Sequence, residues 1–226
     1  MKADVEEIRL ALSLLAEPDQ IVELRLLKVQ LKGHRMTLTM SGYFDDHSAL
    51  AAAAAEHCMC SQGAYVTLNP LNPVLLARAA NRIRIVGKGD VLTSDMDITR
   101  RRWLPLDFDP IRPSGISASQ EEHSAAIARA REVQSRLRAD GWPDPILADS
   151  GNGAHLLYSV DLPTEDGDLV KGCLRGLARR FDDDVVKIDQ AVFNPARIWK
   201  LYGTFSRKGD NLPDRPHRLA RILEAP

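Results

Sequence analysis

The spacing of hydrophobic residues predicts an alternation of helices and strands in the first part of the chain. Apolar residues at helical spacing follow Asp4, which predicts a helix from that cap to residue 15. The alanine-rich segment after Asp46 predicts a second helix, and residues 71–84 a third, before a glycine-containing loop at 87–90. The stretches with strand-like patterns are residues 21–31, 37–40 and 65–68.

The rest of the chain is richer in predicted strands. Ser119 and Glu122 form a capping-box pattern that predicts a helix to residue 139, and an apolar stripe predicts another over 168–181. The predicted strands are a hydrophobic run from residue 103 to the acids at 107 and 109, then residues 146–149, 155–160, 185–189, 198–202 and 219–223. This order favours an α+β fold with two lobes that divide near residues 87–93.

Composition places the chain among soluble globular proteins. Apolar residues make up 44% and charged residues 27% of the 226 residues. Acids within the first seven residues argue against a signal peptide, and no apolar run could span a bilayer. A cytoplasmic protein without a membrane partner is therefore expected.

The cysteines and the net charge narrow the possible ligands. Cys58 and Cys60 stand beside His57, but a closed zinc site needs four ligands and no second pair is present, so no structural zinc is expected. The net charge is −1, whereas residues 193–226 hold seven basic and three acidic residues, a net charge of +4. This tail predicts either an anion-binding face or an ordinary solvated surface.

Asp107 and Asp109 form a D-x-D pattern after a hydrophobic run. Residues two apart on a strand share one face, and Pro110 cannot continue a central ladder, so both carboxylates are expected together at the strand's end. Two like charges repel unless a cation lies between them, and Mg²⁺ or Mn²⁺ is the natural candidate. Acids facing solvent before a turn are the alternative interpretation.

A second pattern is the glycine-rich turn before His155. An Asn-Gly pair between two strands indicates a tight hairpin turn. A second glycine, a serine and a histidine favour an anion-binding nest of backbone N–H groups with side-chain donors. The residues assigned to this nucleotide-binding turn are Ser150, Gly151, Asn152, Gly153 and His155.

A third acid, Asp189, ends another apolar strand and is followed by the cations Arg197 and Lys200. Arginine and lysine both bind phosphate, although a surface salt bridge is the alternative for each. Taken together, three carboxylates, a glycine turn with a histidine, and nearby cations are typical of two-metal phosphoryl or nucleotidyl transfer.

The order of these motifs resembles the archaeo-eukaryotic primase (AEP) superfamily, and more narrowly the primase-polymerase domains of phage, plasmid, bacterial replication and CRISPR-associated proteins. The resemblance extends from about residue 41 to residue 221. The segments that carry it are SGYFDD, YVTLNP, LLARAANR, RRWLPLDFDP, DSGNGAHLLY, VFNPARIWKLYGT and RPHR.

This resemblance implies a two-lobed AEP-like catalytic core, with an N-terminal α/β lobe at 1–90 and a lobe with an RRM-like antiparallel or mixed sheet at 91–226. It implies that Asp107, Asp109 and Asp189 are catalytic and bind two Mg²⁺ or Mn²⁺ ions, and that His155 contacts the nucleotide phosphates. Arg197 and Lys200 would help to hold the triphosphate. Further template or nucleotide contacts are expected at Tyr43, Arg101, Arg102, Arg215, His217 and Arg218.

The implied function is that of a DNA primase-polymerase, which transfers nucleotides from dNTPs or NTPs to a primer 3′-hydroxyl or an initiating nucleotide. Its expected partners are single-stranded or primed DNA, and a helicase or CRISPR-associated protein. The chain departs from the family in Pro105, where an apolar residue is common, and in lacking a zinc module, which favours chain extension over de novo priming.

Two other functions fit the same residues. A metal-dependent phosphodiesterase would use the acids to position water in place of a hydroxyl group. A non-catalytic RRM-like module would only bind nucleic acid, but such modules present aromatic residues on the sheet, and aromatics make up 5% of this chain. A rolling-circle nickase is disfavoured because the sequence has no His-x-His pair.

Overall fold

The computed structural model describes all 226 residues, Met1–Pro226, as an α+β fold. The four α-helices are α1 (Val5–Leu15), α2 (His47–His57), α3 (Gln120–Ala139) and α4 (Leu169–Phe181). Short 3₁₀ turns cover Cys58–Cys60, Pro73–Arg78, Asp95–Asp97 and Gln190–Phe193. None of the four α-helices combines the length and apolar content that crossing a bilayer requires.

Twelve strands build the sheets. They are β1 (Val22–Val29), β2 (Leu38–Phe44), β3 (Gly63–Thr67), β4 (Arg84–Ile85), β5 (Arg101–Pro110), β6 (Ile146–Asp149), β7 (Ala154–Leu162), β8 (Val186–Ile188), β9 (Ile198–Lys200), β10 (Phe205–Ser206), β11 (Arg218–Leu219) and β12 (Arg221–Glu224). The first sheet has the order β4-β2-β1-β3-β9 and the second the order β12-β6-β7-β5-β8. All neighbouring strands are antiparallel, and β10 and β11 form a separate pair. The predicted α+β class is confirmed.

Helices α3 and α4 cover one face of the second sheet. Along β5, Leu106 and Phe108 are fully buried in the core beneath these helices. Asp107 and Asp109 alternate with them and therefore project from the opposite face. The capping box at Ser119 forms as predicted and fixes the start of α3.

The two sheets do not correspond to the two halves of the sequence. Strand β9 lies in the second half of the sequence, yet it pairs with β3 at the edge of the first sheet. Trp199 on β9 faces Val66 on β3 in this register. The division at about residue 90 stays a prediction, and the crossing of β9 places residues from both halves of the chain next to each other.

Two local predictions are wrong. Residues 71–84 do not form an α-helix: they contain the 3₁₀ turn Pro73–Arg78 and then enter β4. Asn81 adopts a left-handed backbone with φ 48°, and its side chain bonds to Asp45 and to the Asp46 N–H. The strand expected at 37–40 continues through Gly42 to Phe44, because β1 pairs with it along that length.

Candidate functional site

The register of three neighbouring strands gathers the predicted acids. On the face of the second sheet that points away from α3 and α4, Asp107 lies opposite His155 on β7, and Asp109 lies opposite Lys187 on β8. Asp189 directly follows β8, and its backbone N–H donates to the Asp107 carbonyl at 2.8 Å. Pro110 ends β5, so Asp107 and Asp109 lie at the end of their strand as expected.

The three acids line one cavity of about 270 Å³ between the two sheets, called here the central cavity. Its charged residues are Asp107, Asp109, Asp189, Arg197, Lys200 and Lys208. Ser150, Asn152 and His155 complete its polar wall. The sequence motifs therefore converge on one place, with three anionic and three cationic side chains.

Asp107 and Asp109 have opposite pKa shifts. Burial acts to raise the pKa of Asp107, but the facing His155, with Lys208 and Arg197, holds it below its usual value. The charge of Asp107, and then burial, raise the pKa of Asp109 above its usual value. Asp107 is therefore readily ionised, and its negative charge disfavours ionisation of Asp109. A cation bound between the two carboxylates would reduce this repulsion.

Asp189 already has two local partners. One of its carboxylate oxygens accepts the Ala191 N–H at 2.8 Å and so caps the 3₁₀ turn Gln190–Phe193. The other lies 3.8 Å from Arg197. Asp189 and Arg197 therefore lie side by side, and the two contacts fix the direction of the Asp189 side chain.

The donor set suits an oxygen-preferring divalent ion. No three acidic, histidine or cysteine side chains lie close enough together to form a metal cluster by themselves. Mg²⁺, however, is usually held by one or two carboxylates together with substrate phosphates, so a complete protein cage is not needed. Asp107, Asp109 and Asp189 fit this requirement because all three line a cavity that also holds free anion donors.

His155 is held on both ring nitrogens and is 3% exposed. Its Nδ1 lies 2.9 Å from the Tyr202 hydroxyl, and its Nε2 lies 3.4 Å from Asp107. The Tyr202 oxygen also accepts the Trp199 Nε1–H at 3.0 Å, and the Trp199 ring packs against His155. A phosphate that bonded to His155 would therefore take the place of the Asp107 contact.

The turn before His155 is not the anion nest that the glycines suggested. Asp149 accepts the Gly151 N–H at 2.6 Å, and the Ser150 hydroxyl accepts the N–H groups of Asn152 and Gly153. The backbone donors of this turn are thus already bonded within the turn. The expectation of a backbone phosphate cradle is corrected, because the side chains at its start satisfy the donors.

The two glycines of this turn are required by packing. Gly151 has φ 84°, and a Cβ atom there would lie 2.9 Å from the Arg218 carbonyl. A Cβ atom on Gly153 would lie 2.2 Å from the Phe108 carbonyl on β5. The turn is therefore pressed against β5, which sets the distance of its side chains from the acids.

Two buried donors of the cavity wall have no partner. Asn152 is 4% exposed; its Oδ1 accepts the Ala118 N–H, whereas its Nδ2 bonds to nothing. The Nε of Arg197 is likewise buried and unbonded. A buried unpaired donor costs about 1–3 kcal/mol. Both residues line the central cavity, so a bound ligand whose acceptor oxygens reached these two atoms would remove that cost.

Lys200 contributes a buried ammonium group. It donates to the Thr204 hydroxyl and to the Phe205 carbonyl, both at 2.9 Å, and lies over the Tyr65 ring. Burial lowers the pKa of Lys200 to about 7. The side chain lies in the cavity wall, and the charge of a bound anion would favour its protonated form.

The chain matches no family model and no curated protein. Among solved structures, it is similar to the AEP domain of the primase-polymerase of cyanophage S-2L, with a TM-score of 0.54 and 16% identity over 100% of this chain and 92% of that chain. It is also similar to the primase RepB′, with a TM-score of 0.52 and 12% identity over 98% of this chain and 56% of that chain. The protein has the AEP primase-polymerase fold.

This AEP fold does not bring all the predicted contact residues to the cavity. Tyr43 is buried, and its hydroxyl bonds to Arg78 and Thr93. Arg101 is buried against Asp166, and the exposed Arg102 pairs with Asp161. None of the three lines the central cavity.

The basic residues near the C-terminus of the AEP fold also lie outside the cavity. Arg215 pairs with Glu122 at the start of α3, and Arg218 donates to the Ala118 carbonyl. His217 bonds to the Gly209 carbonyl. Their contacts hold the C-terminal segment against the chain that precedes α3, and the structure gives them no place in the cavity wall.

The residues of the site that were not predicted include Lys208, Trp199 and Tyr202. Lys208 stands in the basic tail, but nothing in its sequence neighbourhood marks it as a cavity residue. Tyr202 and Trp199 bond to His155 or to each other from a segment more than 40 residues away in sequence. The RIWKLYGT segment carries both aromatics, so the resemblance pointed to the segment but not to this role.

Proposed function

We propose that this protein is a metal-dependent primase-polymerase, which transfers nucleotides to a primer 3′-hydroxyl or an initiating nucleotide under the direction of a DNA template. Its nucleotide substrate would bind in the central cavity. The AEP fold supports the proposal at the level of architecture.

The observation that carries the proposal is the pairing of acids with free donors in one cavity. Asp107, Asp109 and Asp189 offer oxygen ligands, while Asn152 Nδ2 and Arg197 Nε are donors without partners. A nucleoside triphosphate with a divalent ion satisfies both sets at once, because it brings a cation for the carboxylates and acceptor oxygens for the donors. A phosphate-free ligand would leave one set unmatched.

In this mechanism, Asp107, Asp109 and Asp189 would hold the divalent ions. Such ions, when bound, activate an attacking hydroxyl group and offset the negative charge of the triphosphate. Asn152 and Arg197 donate to phosphate oxygens, and Lys200 and Lys208 add positive charge to the wall. His155 orients Asp107 across the pair of strands.

Two aromatic residues that contact His155 weigh against a module that only binds nucleic acid. Base stacking needs exposed rings on the sheet surface. Trp199 is 2% exposed and Tyr202 is fully buried, and both bond to other side chains of the site. Trp199 and Tyr202 therefore support the polar site and offer no exposed ring for base stacking.

A phosphodiesterase could use the same acids. Incubation of labelled primed DNA with Mg²⁺ or Mn²⁺, with and without nucleotides, separates the two reactions. We expect the labelled strand to grow only when nucleotides are present. Shortening of the strand without nucleotides would support the phosphodiesterase instead.

Asp107→Ala is the variant that tests the proposal. We expect it to abolish primer extension, because it removes the carboxylate that His155 orients, while the buried core beneath β5 remains unchanged. Asp184→Ala is the matched control, because Asp184 is exposed and forms no ion pair. Circular dichroism checks that both variants are folded.

The comparison of the two variants has two informative outcomes. Extension by the control with none by Asp107→Ala supports the proposal. Full extension by a folded Asp107→Ala protein would refute the assignment of Asp107, and with it the proposed cavity chemistry.

A further inference from the structure

A second groove adjoins the central cavity. It encloses about 510 Å³ and shares Asp109 and Lys208 with the central cavity. Its cationic residues come from four separate segments of the chain: Lys28, Arg112, Lys187 and Lys208. We call it the basic groove. Because two residues line both spaces, an extended ligand could pass from one into the other.

Three of these cations form no close ion pair, although Lys208 is near enough to lower the pKa of Asp107. Lys28, Lys187 and Lys208 take part in no ion pair, whereas most arginines of the chain do. Lys28 and Lys187 are exposed. Arg112 differs, because it is held by the carbonyls of Ile116 and Pro110 and lies 3.4 Å from Asp109. The groove thus has a fixed arginine in its wall and three free ammonium groups.

The position of Lys28 depends on an irregularity in β1. Leu26 pairs with Met40 and Val29 pairs with Leu38, so β1 advances three residues where β2 advances two. The extra residue in β1 is a β-bulge. Lys28 there has φ 50°, a backbone conformation that is uncommon for residues other than glycine. The bulge directs this lysine to the groove, and a strained residue at a site edge points to a functional role.

The strand register places Lys187 on the face that carries the acids. It lies directly opposite Asp109, and residues opposite each other on an antiparallel pair project to the same side. Lys187 therefore flanks the acids on the groove side, while Lys208 stands where groove and cavity meet. Asp109 is the one acid that lines the basic groove, and its other charged residues are all cationic.

We propose that the basic groove binds the sugar–phosphate backbone of one nucleic-acid strand, the primer, with its 3′ end at Asp109. Several ammonium groups without close ion pairs suit a ligand that carries one negative charge per nucleotide. The groove opens into the cavity beside a carboxylate, where a terminal hydroxyl group is needed. This inference rests on the proposed function for the identity of the strand.

The test removes charge from the groove but not from the cavity. The double variant Lys28→Gln/Lys187→Gln is compared with Lys32→Gln/Lys88→Gln, whose lysines are exposed and line neither space. Binding of a labelled primed DNA hairpin is measured by fluorescence anisotropy over a range of salt concentrations, without nucleotide. Each lost phosphate contact to duplex DNA lowers the salt slope by about 0.9.

We expect weaker binding by the groove variant, with the salt slope reduced by about 1.8, since two contacts of about 0.9 each are lost. The control should bind as the wild type does. An unprimed single strand should show a smaller loss than the primed hairpin, because it offers no primer strand. Binding of a nucleoside triphosphate, measured by calorimetry with Mg²⁺, should be unchanged in the groove variant.

The inference is overturned if the groove variant binds primed DNA with wild-type affinity and salt slope. It is equally overturned if the loss is the same for unprimed strands, because the groove would then hold the template. Because binding is measured without nucleotide, this test does not depend on catalysis. If the groove variant binds primed DNA more weakly but the wild type extends no primer, the assignment of the groove stands and the proposed function is refuted.

Discussion

At the scale of single residues, the hydrogen bonds of His155 determine which of its ring nitrogens carries the proton when the ring is neutral. The indole of Trp199 can only donate, so the Tyr202 oxygen accepts its proton. The Tyr202 hydroxyl proton is then free for His155 Nδ1. When His155 is neutral, its own proton is therefore on Nε2, directed towards Asp107.

Tyr202→Phe tests this arrangement. The change leaves the buried Trp199 donor without a partner, which should lower the free energy of unfolding by about 1–3 kcal/mol. ¹⁵N NMR should detect the Nε2–H form of His155 in the wild type and a mixture of ring forms in the variant. Denaturant titration measures the stability.

Tyr158→Phe is the matched control for this change. The Tyr158 hydroxyl is buried and has no hydrogen-bond partner, so its removal should not destabilise the protein. An Nδ1–H form of His155 in the wild type, or equal effects of the two variants, would contradict the hydrogen-bond order described here.

The residue patterns predicted the acids and the histidine but not their supports. Asp107, Asp109 and Asp189 were visible because each ends a hydrophobic run, and His155 because it follows a glycine turn. The roles of Tyr202 and Lys208 depend on which strands become neighbours. No local period in the sequence carries that information.

At the scale of elements, the hairpin of β6 and β7 positions the site. Its turn packs against β5 so closely that Gly153 has no room for a side chain. The sequence predicted this hairpin correctly from its Asn-Gly pair. It could not predict that Asp149 and Ser150 would bond to the N–H groups of the turn, because their side-chain directions depend on the folded hairpin.

Gly153→Ala should therefore disturb the site. The new methyl group would meet the Phe108 carbonyl at 2.2 Å, so the turn must move away from β5. We expect a loss of about 1–3 kcal/mol in the free energy of unfolding, as for other overpacked positions. Thermal or denaturant unfolding measures it, and nucleotide binding should weaken because Asn152 moves with the turn.

Gly176→Ala provides the comparison. Gly176 lies in α4, and apart from its chain neighbours and the backbone of that helix, nothing lies within 4 Å of the position that an added methyl group would take. Alanine there should stabilise the helix by about 0.4–1 kcal/mol. If Gly153→Ala is as stable as the wild type, the close packing of the turn against β5 is not what positions the site.

At the scale of the whole molecule, the central cavity lies where the two sheets meet. The acids come from the second sheet, while Lys200 comes from β9, which belongs to the first sheet. The sequence pattern could predict β9 as a strand but could not assign it to that sheet, because sheet membership follows from long-range pairing. The overall charge of −1 gave no sign of the local balance of acids and cations around the cavity.

The most direct measurement of the central claim is anomalous diffraction from crystals grown with Mn²⁺ and a non-hydrolysable nucleoside triphosphate. We predict a manganese peak coordinated by Asp107, Asp109 and Asp189, with phosphate oxygens within hydrogen-bonding distance of Asn152 Nδ2 and Arg197. A metal bound away from these three carboxylates, or a triphosphate bound outside the central cavity, would contradict it.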